Sequence, residues 1–175
     1  DGQAYRVMGA SPGTVPALEQ KSLTVLPTRT IYTFEGAGVA LTLTFMTPAL
    51  PEDMDLLSRP VTYVTYDFKA TDGKNHDVQI HFDASGELAV NTGDQQVVGR
   101  AGEAIGTLRA LSIGSKDQAI LAKKGDDLRI DWGYLYVAAL DASFSSHLVA
   151  NPMAMRHSFV ERGLEVLVPA GLLGA

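Results

Sequence analysis

"GVALTLTFMT", residues 38–47, sets the period of this chain. Val39, Leu41, Leu43 and Phe45 fall on one side of an extended backbone; Thr42 and Thr44 fall on the other. Successive side chains of a strand point to opposite faces, so this alternation marks a strand with one buried face. The rhythm continues outward in both directions. Before it, "TRTIYTFE" (28–35) reads as a strand joined through a turn at Gly36–Gly38. After it, "RPVTYVTYDFKA" (59–70) places Val64, Tyr66 and Phe68 on one face. Asp72-Gly73 is a hairpin-type turn pair, and "HDVQIHFDAS" (76–85) follows with Val78, Ile80 and Phe82 inward. "IGTLRALSIG" (105–114) and "LRIDWGYLYVAA" (128–139) complete the set, the latter after the turn "KKGDD" (123–127). These β-branched and aromatic runs, spaced by Gly, Asp and Pro, predict an all-β fold. The expected form is an antiparallel β-sandwich, in its larger version a supersandwich, with one or two short helices.

The 175 residues suffice for one domain with a hydrophobic core, and a single domain over 1–175 is expected. With 46% hydrophobic and 19% charged residues the chain is globular. The net charge is −6 and basic residues cluster no further than Lys123–Lys124, so no nucleic-acid footprint is expected. No apolar run reaches the roughly 18 residues of a membrane span. The absence of cysteine excludes disulfides, thiol nucleophiles and thiolate zinc sites. A chain that starts at Asp1 without methionine and stops at an apolar "VPAGLLGA" reads as a piece of something longer, or a mature form.

Helical signals are few. Asn151 fits an N-cap, Pro152 the first helical position and Gly163 the position after the C-cap, which predicts about three turns over "MAMRHSFVER". "KDQAILAK" (116–123) is a second helix candidate, and "NTGDQQVVGRAGEA" (91–104) is expected to be the mobile loop.

Two histidines and two aspartates within "HDVQIHFD" (76–83) raise the question of chemistry. In a regular strand His76 and His81, five apart, face opposite ways and share no ligand sphere. Asp77, Gln79, His81 and Asp83 share a face, but neighbours two apart stand about 6.6 Å from each other. The expectation is a polar solvent face over an apolar one. A site using His81 with Asp83 and a partner from another strand is the surviving alternative, and a bulge would reopen the parity.

Other patterns weaken on inspection. "GASPG" (9–13) matches G-x-S-x-G, but the residue after the serine is Pro12, which has no N–H to offer an oxyanion. "PEDMDLL" (51–57) has too few carboxylates for a calcium loop and reads as a solvated loop or the capped first turn of a short helix. Trp132, Tyr134 and Tyr136 share a face with Ile130 by alternation. Such a stripe is a core face, or an aromatic ledge contacting a ligand or a domain interface. Asp131, on the other face beside Arg129, is expected in a surface ion pair. No phosphate-binding glycine motif, no H-E-x-x-H and no glycosylation sequon is present, so no cofactor, metal or catalytic residue is assigned.

Several segments together resemble a known family. "DGQAYRVMG", the run from "LPTRTIYTFEG" to "SGELAVN", and "KKGDDLRIDWGYLYVAA" look like the N-terminal β-rich domain of the glutaminase A family, over about Asp1 to Ala139. "LLSRPVTY" (56–63) and "RIDWGYLY" (129–136) are the most specific pieces, and neither is a catalytic motif. The resemblance implies a parent hydrolase, secreted or periplasmic, that converts L-glutamine to L-glutamate and ammonia. It also implies a helical catalytic domain, resembling an α/α-toroid, as partner in the same parent chain. The 175 residues alone are then expected to be inactive. Two roles follow: a non-catalytic domain that braces the helical one, with the apolar tail "LEVLVPAGLLGA" as part of that contact, or a carbohydrate-binding sandwich with Trp132, Tyr134 and Tyr136 as its stacking platform. Buried rings would favour the brace; coplanar exposed rings would favour the platform.

Overall fold

A computed structural model describes residues 2–9, 15–126, 129–140 and 152–162, with the backbone alone at 102, 103, 152 and 162. The chain divides into two compact units, Asp1–Gln79 and Ile80–Ala175. Each holds one antiparallel sheet, and the all-β class expected from the alternation is what the chain forms.

The first unit is a four-stranded meander: β1 (Glu19–Leu26), β2 (Arg29–Gly36), β3 (Val39–Met46) and β4 (Tyr63–Ala70), in sheet order β1-β2-β3-β4. The register follows the hydrophobic pattern. Phe34 stands opposite Leu41 and Leu41 opposite Phe68; Tyr32 stands opposite Leu43 and Leu43 opposite Tyr66. One face therefore collects the apolar set, and Phe34, Leu41 and Leu43 are each about 2% exposed. Val7, Leu18, Tyr32, Phe45, Val64 and Tyr66 pack around them. Burying each such side chain contributes about 1.5–3 kcal/mol. The β2–β3 turn is the two-residue Ala37-Gly38, with φ of 52° and 78°, the left-handed pair that a hairpin of matching twist requires. Between β3 and β4, Asp53 caps a single helical turn, α1 (Met54–Leu57), by accepting from the Leu56 N–H at 2.9 Å. That is the capped-turn reading of "PEDMDLL".

The second unit carries β5 (Val97–Ile105), β6 (Leu108–Ser115) and β7 (Tyr134–Leu140), in order β5-β6-β7. Gly106 at φ 61° makes the two-residue β5–β6 turn. A 3-10 turn, Gly86–Ala89, precedes the sheet, with Ser85 accepting from the Glu87 N–H at 3.2 Å. Helix α2 (Pro152–Arg162) lies where the proline signal puts it; Asn151 and Gly163 fall outside the described residues.

Four expectations are corrected. β1 is a strand beyond the expected set: Leu23 and Val25 alternate only weakly, and every residue of this edge strand is exposed. Residues 97–104, expected to be a mobile loop, form most of β5; Gly99 and Gly102 disguise it, and the register shifts between Ala101 and Glu103. "KDQAILAK" is no helix but a turn with Gln118 at φ 43° and Leu121 at φ 53°. "HDVQIHFDAS" is no strand: 75–85 lies outside every ladder and bridge, because alternation fixes faces but supplies no pairing partner. "GASPG" beyond Gly9, Asp127, Leu128 and the tail 163–175 lie outside the described residues.

Candidate functional site

In the second unit the segment "RIDWGYLY" is tied to its surroundings by several side-chain bonds. Asp131 is 5% exposed, and its partner is not Arg129, so the expected surface ion pair does not form. Lys123 Nζ lies 2.5 Å from Oδ2 and Gln95 Nε2 donates to the same oxygen at 3.1 Å. Ser115 Oγ donates to the backbone carbonyl of Asp131. The Lys123 ammonium, and after it the Gln95 amide, hold the carboxyl below the ordinary carboxylate range. Gln95 in turn accepts at Oε1 from the N–H groups of Asn91 (2.7 Å) and Thr92 (3.0 Å). The Arg129 N–H donates to Asn91 Oδ1 at 3.1 Å. One carboxylate thus ties three stretches, 91–96, 115–123 and 129–133, around a depression of about 280 Å³.

Gln118 closes the same corner. Its Nε2 donates to the carbonyls of Ser115 (2.8 Å) and Gly133 (3.1 Å), and its Oε1 accepts from the Gly133 N–H at 2.7 Å. The side-chain amide therefore pairs with both backbone groups of Gly133, as a neighbouring strand would. Left-handed backbone at a non-glycine residue costs about 1–2 kcal/mol, and these bonds offset it. No sequence pattern signals this clamp.

Trp132 sits half-buried in the bend ahead of β7, while Tyr134 and Tyr136 stand on the open face of β7, 37% and 51% exposed. Tyr134 leans over β6: a Cβ built on Gly114 would lie 2.6 Å from its ring. The Arg100 guanidinium sits 5.6 Å from the Tyr134 ring centroid, a cation–π distance. The two tyrosine rings are 6.3 Å apart and inclined at 62°. The arrangement is neither of the two set out above, for the rings are exposed and are not coplanar.

The histidines of "HDVQIHFD" serve separate partners. In the first unit His76 Nε2 lies 2.9 Å from Asp72 Oδ1. In the second, His81 Nε2 lies 3.1 Å from Asp83 Oδ2, but among the described residues the partner from another strand that the alternative required is not there. The third member comes from α2: Arg156 grips Asp83 with Nε at 2.8 Å and Nη2 at 2.5 Å, and Phe159 lies 5.3 Å from the His81 ring. This fork docks a helix, and Arg156 holds the Asp83 carboxyl below its ordinary range. Among the described residues no group of three His, Asp or Glu could hold a metal ion.

What these groups can do chemically is limited. Asp72, Asp83, Asp94 and Asp131 are all shifted down, and Tyr66, Lys21 and Arg156 up. Every one of these shifts moves away from neutrality. A general acid or base works best with a pKa near the working pH, and none of these shifts brings a group toward it.

Comparison with known proteins agrees with the sequence resemblance. A protein named Glutaminase A from Aspergillus oryzae is 26% identical over 166 residues, which are 93% of this chain and 23% of that protein. The chain thus spans less than a quarter of the length of this relative. No helix among the described residues is long and apolar enough to cross a membrane. No solved structure matches. A family model described as a domain of unknown function, DUF5127, matches residues 28–165. That match runs from the last residue before β2 to the segment just beyond α2, and this chain belongs to the DUF5127 family.

Proposed function

We propose that this chain is the non-catalytic β-rich domain of a glutaminase-like hydrolase, and that it braces a helical catalytic domain in the same polypeptide. The observation that carries the reading is the match of nearly the whole chain to under a quarter of a protein named a glutaminase. Two features of the residues support it. The titration shifts run away from neutrality, as structural ion pairs do. The open face of β7 presents Tyr134 and Tyr136, and amphipathic rings of this kind are favoured where two surfaces meet. The longer protein would hydrolyse L-glutamine to L-glutamate and ammonia in a secreted or periplasmic setting. The 62° inclination of the two rings speaks against the carbohydrate platform, where sugar faces stack on rings lying in one plane, while their exposure is not the burial that would have favoured the brace. Tyr136→Ala in the full-length protein tests the contact: a weakened glutaminase with unchanged glycan binding supports the brace, and lost glycan binding with intact turnover overturns it.

A further inference from the structure

Asp72-Gly73, the pair that turns the chain after β4, carries a chemistry of its own. The backbone nitrogen of the residue after an aspartate attacks the side-chain carbon Cγ. The new N–Cγ bond closes a five-membered succinimide, and one carboxyl oxygen leaves as water. Water then opens the ring at either of its carbonyls. One opening restores aspartate. The other leaves isoaspartate, whose main chain runs through Cβ and Cγ, with no net change in mass. A glycine after the aspartate makes the attack easiest, because no Cβ crowds the nitrogen. Gly73 is exposed, holds φ 75°, and a Cβ built on it would meet nothing within 4 Å. The nucleophile is therefore open.

The electrophile is not. His76 Nε2 donates to Asp72 Oδ1 at 2.9 Å, and the Lys74 N–H donates to the same oxygen at 3.0 Å. Oδ2 faces the β2–β3 turn, where a Cβ on Gly38 would lie 2.6 Å from it, and Lys74 Nζ stands 3.8 Å away. The His76 side chain is only 11% exposed, so the donor is itself held in place. All of these groups lie in the first unit. Attack needs the carboxyl to turn free of its partners. It also needs a proton there, since a carboxylate has no water to release. The His76 bond, and after it the Lys74 N–H, hold this carboxyl below the ordinary carboxylate range, which opposes the second requirement.

We propose that Asp72-Gly73 is a site of spontaneous aspartate isomerisation and that His76 is the residue that holds it back. Isoaspartate adds one atom to the main chain directly after β4. The Thr71 N–H beside it donates to the Gly38 carbonyl at 2.8 Å, so the modification loosens the end of the β3–β4 ladder.

The test is peptide mapping for isoaspartate at position 72 after prolonged incubation at neutral pH, with the protein native and in guanidinium chloride. The unfolded protein is expected to form isoaspartate, and the native protein to form it at least about tenfold more slowly, the rate equivalent of one hydrogen bond to a charged group. His76→Ala should raise the native rate by about the same tenfold factor and leave the unfolded rate unchanged. His76→Gln, which keeps an N–H donor, should restore most of the slow rate. Equal native and unfolded rates overturn the proposal without any variant, as does an unfolded protein that forms no isoaspartate. A His76→Ala rate equal to that of the unaltered native protein, or a His76→Gln rate as fast as that of His76→Ala, removes the His76 bond as the brake. Thermal melts establish that both variants fold.

Discussion

Asp131 and Gln118 hold the corner from which β7 departs, Asp131 through the Lys123 ammonium and the Gln95 amide and Gln118 through backbone groups of Ser115 and Gly133. Removing the Gln118 amide leaves the N–H and carbonyl of Gly133 without their partner. Gln118→Ala is expected to cost about 1–3 kcal/mol, the penalty for unsatisfied part-buried groups, read as a lowered denaturation midpoint. The lowered carboxyls make a pH prediction with a definite sign. Asp83 and Asp131 have folded-state pKa values below their unfolded ones. Their stabilisation is therefore fully present above about pH 4 and is lost as pH falls through the lowered values. The melting temperature should drop over that acid range, and Asp83→Asn should flatten the drop. Because the Asp83–Arg156 pair is partly solvent-exposed, its loss near neutrality should cost only about 0.5–1 kcal/mol. None of this was legible in the sequence: Asp131 next to Arg129 suggested a surface pair, and the true partners lie 8 residues away (Lys123) and 36 away (Gln95).

At the scale of elements, the strands that alternate cleanly are the ones the sequence disclosed. β2, β3 and β4 carry Phe34, Leu41, Leu43 and Tyr66 at a strict period of two, and the pattern names both their faces. β1 and β5 escaped because an edge strand buries little and a glycine-bearing strand with a register shift looks like a loop. The segment 76–85 shows the converse, a legible pattern without a ladder. The β2–β3 hairpin allows two substitutions of opposite effect. Ala37 holds φ 52° with an exposed side chain, so Ala37→Asn is expected to stabilise by about 0.5–1 kcal/mol, Asn tolerating the left-handed region. Gly38→Ala should destabilise, since its φ is 78° and its new Cβ would lie 2.6 Å from Asp72 Oδ2. Thermal melts of the two variants read both signs. In the core, Leu41→Ala should cost about 2–5 kcal/mol because Leu41 is fully buried.

At the scale of the whole molecule, the resemblance rests on "LLSRPVTY" and "RIDWGYLY", and the match over 28–165 places the chain in the DUF5127 family. The helical partner, the substrate and the compartment proposed above rest on the resemblance and on the name of a relative of which this chain spans 23%, and no described residue writes them into its own geometry. The most direct measurement is ammonia release from L-glutamine by the 175-residue chain and by the full-length protein, side by side. Turnover by the full-length protein and none by the chain is the expected result. Turnover by the chain alone would contradict the non-catalytic role, and none by either would remove glutamine as the substrate.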